Sequence, residues 1–143
     1  MKIRTAFFAL LLAGCHHEIP VAAKPAADDP AIIFARDSVT MLAAGAPGAQ
    51  DVIEWTTLQG SSLDVGALYR ALPDDRERAD FRAAFVTHFS STLHEQGVDI
   101  SALTSWRVDD RRGDTVVVTA TAAAGELRVT VRDGHIVRIG QNP

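Results

Sequence analysis

From Asp29 onward, the apolar residues fall into two different periods. Ile32, Ala35, Val39 and Leu42, with Ala43 beside them, recur at the three- and four-residue steps of one helix face. Asp29 supplies an N-cap, Pro30 suits the first helical position, and Gly45 supplies a stop, so the first helix is predicted between Asp29 and Gly45. A second, shorter helix is predicted over about 47–58, carrying Val52, Ile53 and Trp55 until Gly60 breaks it. Ser61 followed by Asp64 has the form of a capping box and opens a third helix. Its apolar positions are Leu63, Ala67, Leu68 and Leu72, and Pro73 ends it. The fourth helix has the plainest signature: Asp74 at the N-cap, Glu77 at N3, then Phe81, Phe85, Phe89 and Leu93 at every fourth residue until Gly97. Asp74–Arg78 and Arg76–Asp80 have i,i+4 spacing for ion pairs. Burying one phenylalanine contributes about 1.5–3 kcal/mol, so this stripe is expected to mark the core helix.

Past Gly97 the period shortens to two. Trp106 and Val108 alternate with Arg107 and Asp109, and Asp110-Arg111-Arg112-Gly113 is expected to turn the chain. Val116, Val118, Ala120 and Ala122 then share one face, opposite Thr115, Val117, Thr119 and Thr121. After a turn at Gly125, Leu127, Val129 and Val131 alternate with Glu126, Arg128, Thr130 and Arg132. Asp133-Gly134 is a type I′ hairpin signal leading into a last strand over 136–139. Strict pairing across that hairpin sets Val131 beside Ile136 but Val129 beside Arg138. Either Arg138 lies at a wet rim or a bulge shifts the register. Helices followed by a meander predict one α+β domain over 29–143. In it, N-terminal helices pack on a curved four-stranded antiparallel sheet, and the Phe-lined helix covers the sheet's apolar face.

The N-terminus has another character. Lys2 and Arg4 precede a short apolar run from Thr5 to Ala13. That run is too short for a bilayer core about 30 Å thick, which needs about 20 residues, but it suits the hydrophobic region of a secretory signal. It ends in Leu12-Ala13-Gly14-Cys15, which resembles the lipobox of bacterial lipoproteins. The resemblance implies cleavage before Cys15, a diacylglyceryl group on its sulfur, a signal peptide over 1–14, and a lipidated, flexible tether over 15–28. At about 0.8 kcal/mol per buried CH₂, two or three acyl chains hold a domain firmly to a membrane. His16, where enteric lipoproteins kept at the inner membrane carry Asp, leans toward the outer membrane and a periplasmic face. Pro20 and Pro25 interrupt any period in the tether, so His16, His17 and Glu18 read as solvated linker rather than as metal ligands.

Composition narrows the function further. The 143 residues carry a formal charge of −4, and losing Lys2 and Arg4 with the leader makes it −6, which argues against a nucleic-acid partner. Cys15 is the only cysteine, so the mature domain has no thiol nucleophile, disulfide or Cys-ligated zinc. No His pair has i,i+4 spacing with a third ligand in view, and no Gly-rich loop joins a strand to a helix, so neither a metal nor a cofactor is expected. Arg112-Gly113-Asp114 spells an adhesion tripeptide, but Gly and Asp there are turn chemistry.

The helical part from Trp55 to Gly97, followed by the meander from Trp106 to Ile139, resembles the nuclear-transport-factor-two-like superfold. That group includes ketosteroid isomerase and SnoaL-like proteins. A cystatin-like helix-on-sheet arrangement is the near neighbour. The resemblance implies a cone-like space between helix and twisted sheet. Trp55, Tyr69, His88, Trp106 and His135 are the candidate pocket residues, as large polar-capable side chains on mainly apolar elements. His88 borders the Phe stripe, as a general base or as a satisfied core-edge histidine. The expected function is a lipid-anchored envelope protein whose non-catalytic domain binds a small apolar ligand or an envelope protein. The alternative is a small-molecule enzyme of isomerase or dehydratase type, with His88 and an acidic residue as base and relay.

Overall fold

The computed structural model describes residues 29–142 apart from residue 124, so the expected signal and tether, with Cys15, lie outside the described residues. Helix α1 spans Pro30–Ala44. The Asp29 carboxylate accepts from the Ala31 backbone N–H at 2.9 Å, and Gly45 ends the helix with φ 60°, both where the sequence predicts. Ile32, Ala35, Val39 and Leu42 are all buried. A 3₁₀ turn at Ala49–Val52 follows, then helix α2 at Val65–Arg70 and helix α3 at Asp75–Glu95. No described helix is long and apolar enough to cross a membrane.

The four strands are β1 Thr104–Arg112, β2 Thr115–Ala122, β3 Gly125–Arg132 and β4 His135–Asn142, antiparallel in the order β1-β2-β3-β4. Helices packed against this curved, open sheet make an α+β domain. Asp133 and Gly134 have φ 49° and 71°, the two left-handed residues that a type I′ hairpin requires. The first turn falls one step later than expected: β1 runs through Arg112, and Gly113-Asp114 makes the turn.

The Arg138 ambiguity resolves into a bulge. Val131 pairs with Ile136 and Thr130 with Arg138, with a register shift between them, so Val129 meets Ile139. One extra residue in β4 keeps Ile136 and Ile139 in the core and sends Arg138 to the outer face.

Three expectations are corrected. First, the predicted helix over 47–58 is only the 3₁₀ turn. Beyond it the chain pairs with the free edge of β4: the Glu54 N–H donates to the Ile136 carbonyl at 3.0 Å, and the Gln59 N–H to that of Val137 at 2.9 Å. Tertiary hydrogen bonds to an open sheet edge override a weak local helical preference. Second, Asp64 rather than Ser61 caps α2, accepting from the Ala67 N–H at 2.8 Å. Leu63 and Leu68 are exposed, and Val65, Gly66 and Tyr69 face inward instead. A Cβ on Gly66 would stand 2.6 Å from the Thr56 carbonyl oxygen, so glycine allows α2 to press on residues 56–58.

Third, α1 and not α3 lies on the sheet. It packs on β1, β2 and β3, while α3 packs on α1 and the 3₁₀ turn. Only Val86 and Leu93 of α3 are buried, and Phe81, Phe85 and Phe89 are partly buried. The core is α1 against Val116, Val118, Ala120, Val129 and Ile136. Of the ion pairs expected on α3, Arg78 instead meets Asp75 at 3.4 Å.

Candidate functional site

Because α3 leans on α1, its Phe stripe leaves a gap toward the end of the sheet. An open groove of about 470 Å³ lies there, between α3, the segment 58–63 and the ends of β3 and β4. Its apolar wall comes from Leu58, Val65, Phe85, Phe89, Leu93, Leu127 and Ile139. Its polar groups are Gln59, Ser61, Ser62, His88, Thr92, Gln96 and Gln141. No carboxylate, lysine or arginine is among them. Uncharged walls with a few hydrogen-bonding groups are the usual make-up of an apolar-ligand site.

The groove is backed by an aromatic cluster. Trp55 meets Phe85 edge-on, with centroids 5.4 Å apart at 89°, and lies 5.9 Å from Tyr69. Phe85 and Phe89 stack at 6.4 Å and 16°, carrying the cluster from the interior to the groove wall. The polar ends of the two buried rings are satisfied. Trp55 Nε1 donates to the Gln50 carbonyl at 2.9 Å, and the Tyr69 hydroxyl accepts from Arg82 at 2.7 Å. Both therefore serve as a wall rather than as free hydrogen-bonding groups.

The five sequence candidates do not converge. Trp55 and Tyr69 sit in the cluster, and His88 is exposed on the groove lining. Trp106 is half-buried on β1, packed against the core. His135 is exposed at the β3–β4 hairpin, its Nδ1 2.9 Å from the Asp133 carbonyl oxygen. Thr92, Gln96 and Gln141 were missed. Thr92 and Gln96 continue from His88 in steps of four, a polar seam beside the Phe stripe that the helical period contains. Gln141 enters through the β4 bulge and carried no sequence signal.

The charged groups of the sheet gather on its outer face. Arg107 lies 2.9 Å from Asp109 and 2.6 Å from Glu126, and the buried Thr119 hydroxyl donates to Asp109. That hydroxyl, more than the neighbouring Arg107 and Arg128, holds the Asp109 carboxyl below its ordinary range, against a smaller opposing effect of burial. The Glu126 hydrogen bond, followed by the nearby Asp109, raises Arg107. Glu54, which the Thr56 hydroxyl holds low, faces His135 and Arg132 outside the groove. Among the described residues, no group of three or more His, Cys, Asp or Glu could hold a metal ion.

Compared with protein-family models, curated proteins and solved structures, the chain matches none. The functional reading therefore stands on the sequence and the geometry.

Proposed function

We propose that this chain is a lipid-anchored protein of the bacterial cell envelope, held through Cys15 at the outer membrane and facing the periplasm. Its domain binds a small apolar ligand, without catalysis, in the groove beside α3. The lipobox residues Leu12-Ala13-Gly14-Cys15 support the anchor. The groove's chemistry carries the binding reading: aliphatic and phenyl walls, neutral polar groups, and room for a ligand of modest size. A base-and-relay reaction at His88 needs an acidic partner, and the described groove lining offers none.

Two measurements test this reading. Metabolic labelling with a palmitate analogue is expected to tag the wild-type chain and not Cys15→Ser; equal labelling of both overturns the anchor. A diazirine-bearing alkyl probe added to membranes holding the full chain is expected to cross-link to Phe85, Phe89 or Thr92. Thr92→Arg, which places a cation on the half-buried wall, is expected to suppress that label. Label spread evenly over the domain, or unchanged in Thr92→Arg, overturns the ligand. Cross-links to a second protein at these residues would replace the small ligand with a protein partner.

A further inference from the structure

On the outer face of the sheet, most arginines already have acceptors. Arg107 has Asp109 and Glu126, Arg112 has Asp110 at 2.9 Å, and Arg132 donates to the Thr57 hydroxyl at 3.1 Å. Arg128 and Arg138 differ. Arg138 has no hydrogen-bond or ion-pair partner among the described residues. Arg128 reaches only Asp109, at 3.6 Å, and its Nε is shielded from water with no acceptor. A shielded N–H without a partner is rare, because the desolvation it suffers is not offset.

The two arginines share one concavity. Thr130 pairs with Arg138, and Arg128 with Gly140, so the two guanidinium-bearing residues are diagonal neighbours on one face. Position 140 carries no side chain, and an added Cβ would stand 2.4 Å from the Ser61 hydroxyl. The segment around Ser61 therefore closes down on β4, where Ser61 Oγ accepts from the Gln141 N–H at 3.1 Å. A pocket of about 210 Å³ results, lined by Arg128, Arg138, Thr130, Ser61 and Gln141 with Val117 and Gly140, and without a carboxylate. It is separate from the apolar groove, although Ser61, Gly140 and Gln141 stand between the two.

We infer that this pocket binds a phosphate-type oxyanion, free or carried on a lipid headgroup. Two guanidinium groups supply forked, charge-assisted donors, and the Thr130 and Ser61 hydroxyls can complete the shell. The β4 bulge is what brings Arg138 to this face, so the irregularity has a use beyond keeping Ile139 inside. The inference does not depend on the apolar ligand: Arg128, Arg138 and Thr130, which carry it, do not line the groove.

The test titrates inorganic phosphate against the full lipidated chain in phosphatidylcholine nanodiscs at constant ionic strength, followed by calorimetry. Saturable binding is expected, weakened about tenfold or more in Arg138→Gln, as the loss of a charge-assisted pair implies. Arg138 is exposed and unpaired, so this variant is expected to fold, and circular dichroism checks that it does. Arg112→Gln, at the far hairpin, is expected to bind as the wild type does. Nanodiscs containing phosphatidylglycerol separate the sources: lost phosphate binding there points to a headgroup, and unchanged binding to a soluble anion. Absence of saturation, equal weakening in both variants, or equal displacement by chloride overturns the site.

Discussion

Leu42→Ala measures how much of the domain rests on α1. Leu42 is fully buried, between the sheet and the packed helices. The change removes three carbon groups, and at about 0.8 kcal/mol each the lost transfer energy is about 2.4 kcal/mol. Incomplete collapse around the cavity adds about 1 kcal/mol, giving about 3.5 kcal/mol in total. A domain of roughly 115 residues unfolds with an entropy near 0.24 kcal/mol/K, so Tm should fall by about 15 °C. Phe85→Ala removes a larger side chain, but one only partly buried, whose aromatic neighbours are Trp55 and Phe89. It should cost about 2 kcal/mol and lower Tm by about 8 °C. Thermal melts followed by circular dichroism, with urea melts to check that the m-value holds, give both numbers. If Phe85→Ala is the more damaging, the core lies on α3 and the packing described above is wrong.

Thr119→Val removes the hydroxyl that keeps Asp109 acidic. A depressed carboxyl stabilises the fold above its unfolded pKa, and that stability is lost as pH falls through the folded value. The variant should therefore be about 1–2 kcal/mol weaker at neutral pH, with the gap narrowing below about pH 4. Urea midpoints at pH 7 and pH 3 measure this, and an equal gap at both contradicts it. Gly66→Ala drives a methyl into the Thr56 carbonyl and should cost about 3 kcal/mol, read from chemical denaturation; a neutral result means that α2 is not seated on residues 56–58. Asp29→Ala removes the α1 cap and the acceptor of Arg111, and should cost about 1–2 kcal/mol in the same assay. Helix content unaltered at the urea midpoint of the wild type would refute that role.

Elements whose specification is local were readable in the sequence. Asp29-Pro30 and Gly45 bound α1, Asp74 and Gly97 bound α3, and Asp133-Gly134 sets the last hairpin, because each choice depends on the backbone dihedrals and orphan N–H groups of a few neighbours. The alternation from Val116 to Val131 likewise gave the faces of β2 and β3. What depended on distant partners was not readable. Residues 53–59 resemble a helix end until an open β4 edge offers hydrogen bonds. The Phe stripe of α3 and the Ile32-to-Leu42 stripe of α1 are equally periodic, and period alone does not say which one meets the sheet. Of the groove, His88 was foreseen, as were Trp55 and Tyr69 in the wall behind it, while Trp106 and His135 belong elsewhere. The Arg128–Arg138 pair was present in the sequence only as a puzzle: an arginine standing where alternation demanded an apolar residue.

The chain's own laying-down of residues 53–59 along β4 has a bearing on crowding. A bare, flat strand invites its neighbours to extend it, and molecules held at one surface would meet such edges often. Here that flank is already occupied by self-pairing. The opposite flank, β1, is broken by two irregularities and studded with Arg107, Asp109, Arg111 and Arg112. Copies of this domain can be packed side by side while neither border of the sheet offers a template for fibrous growth.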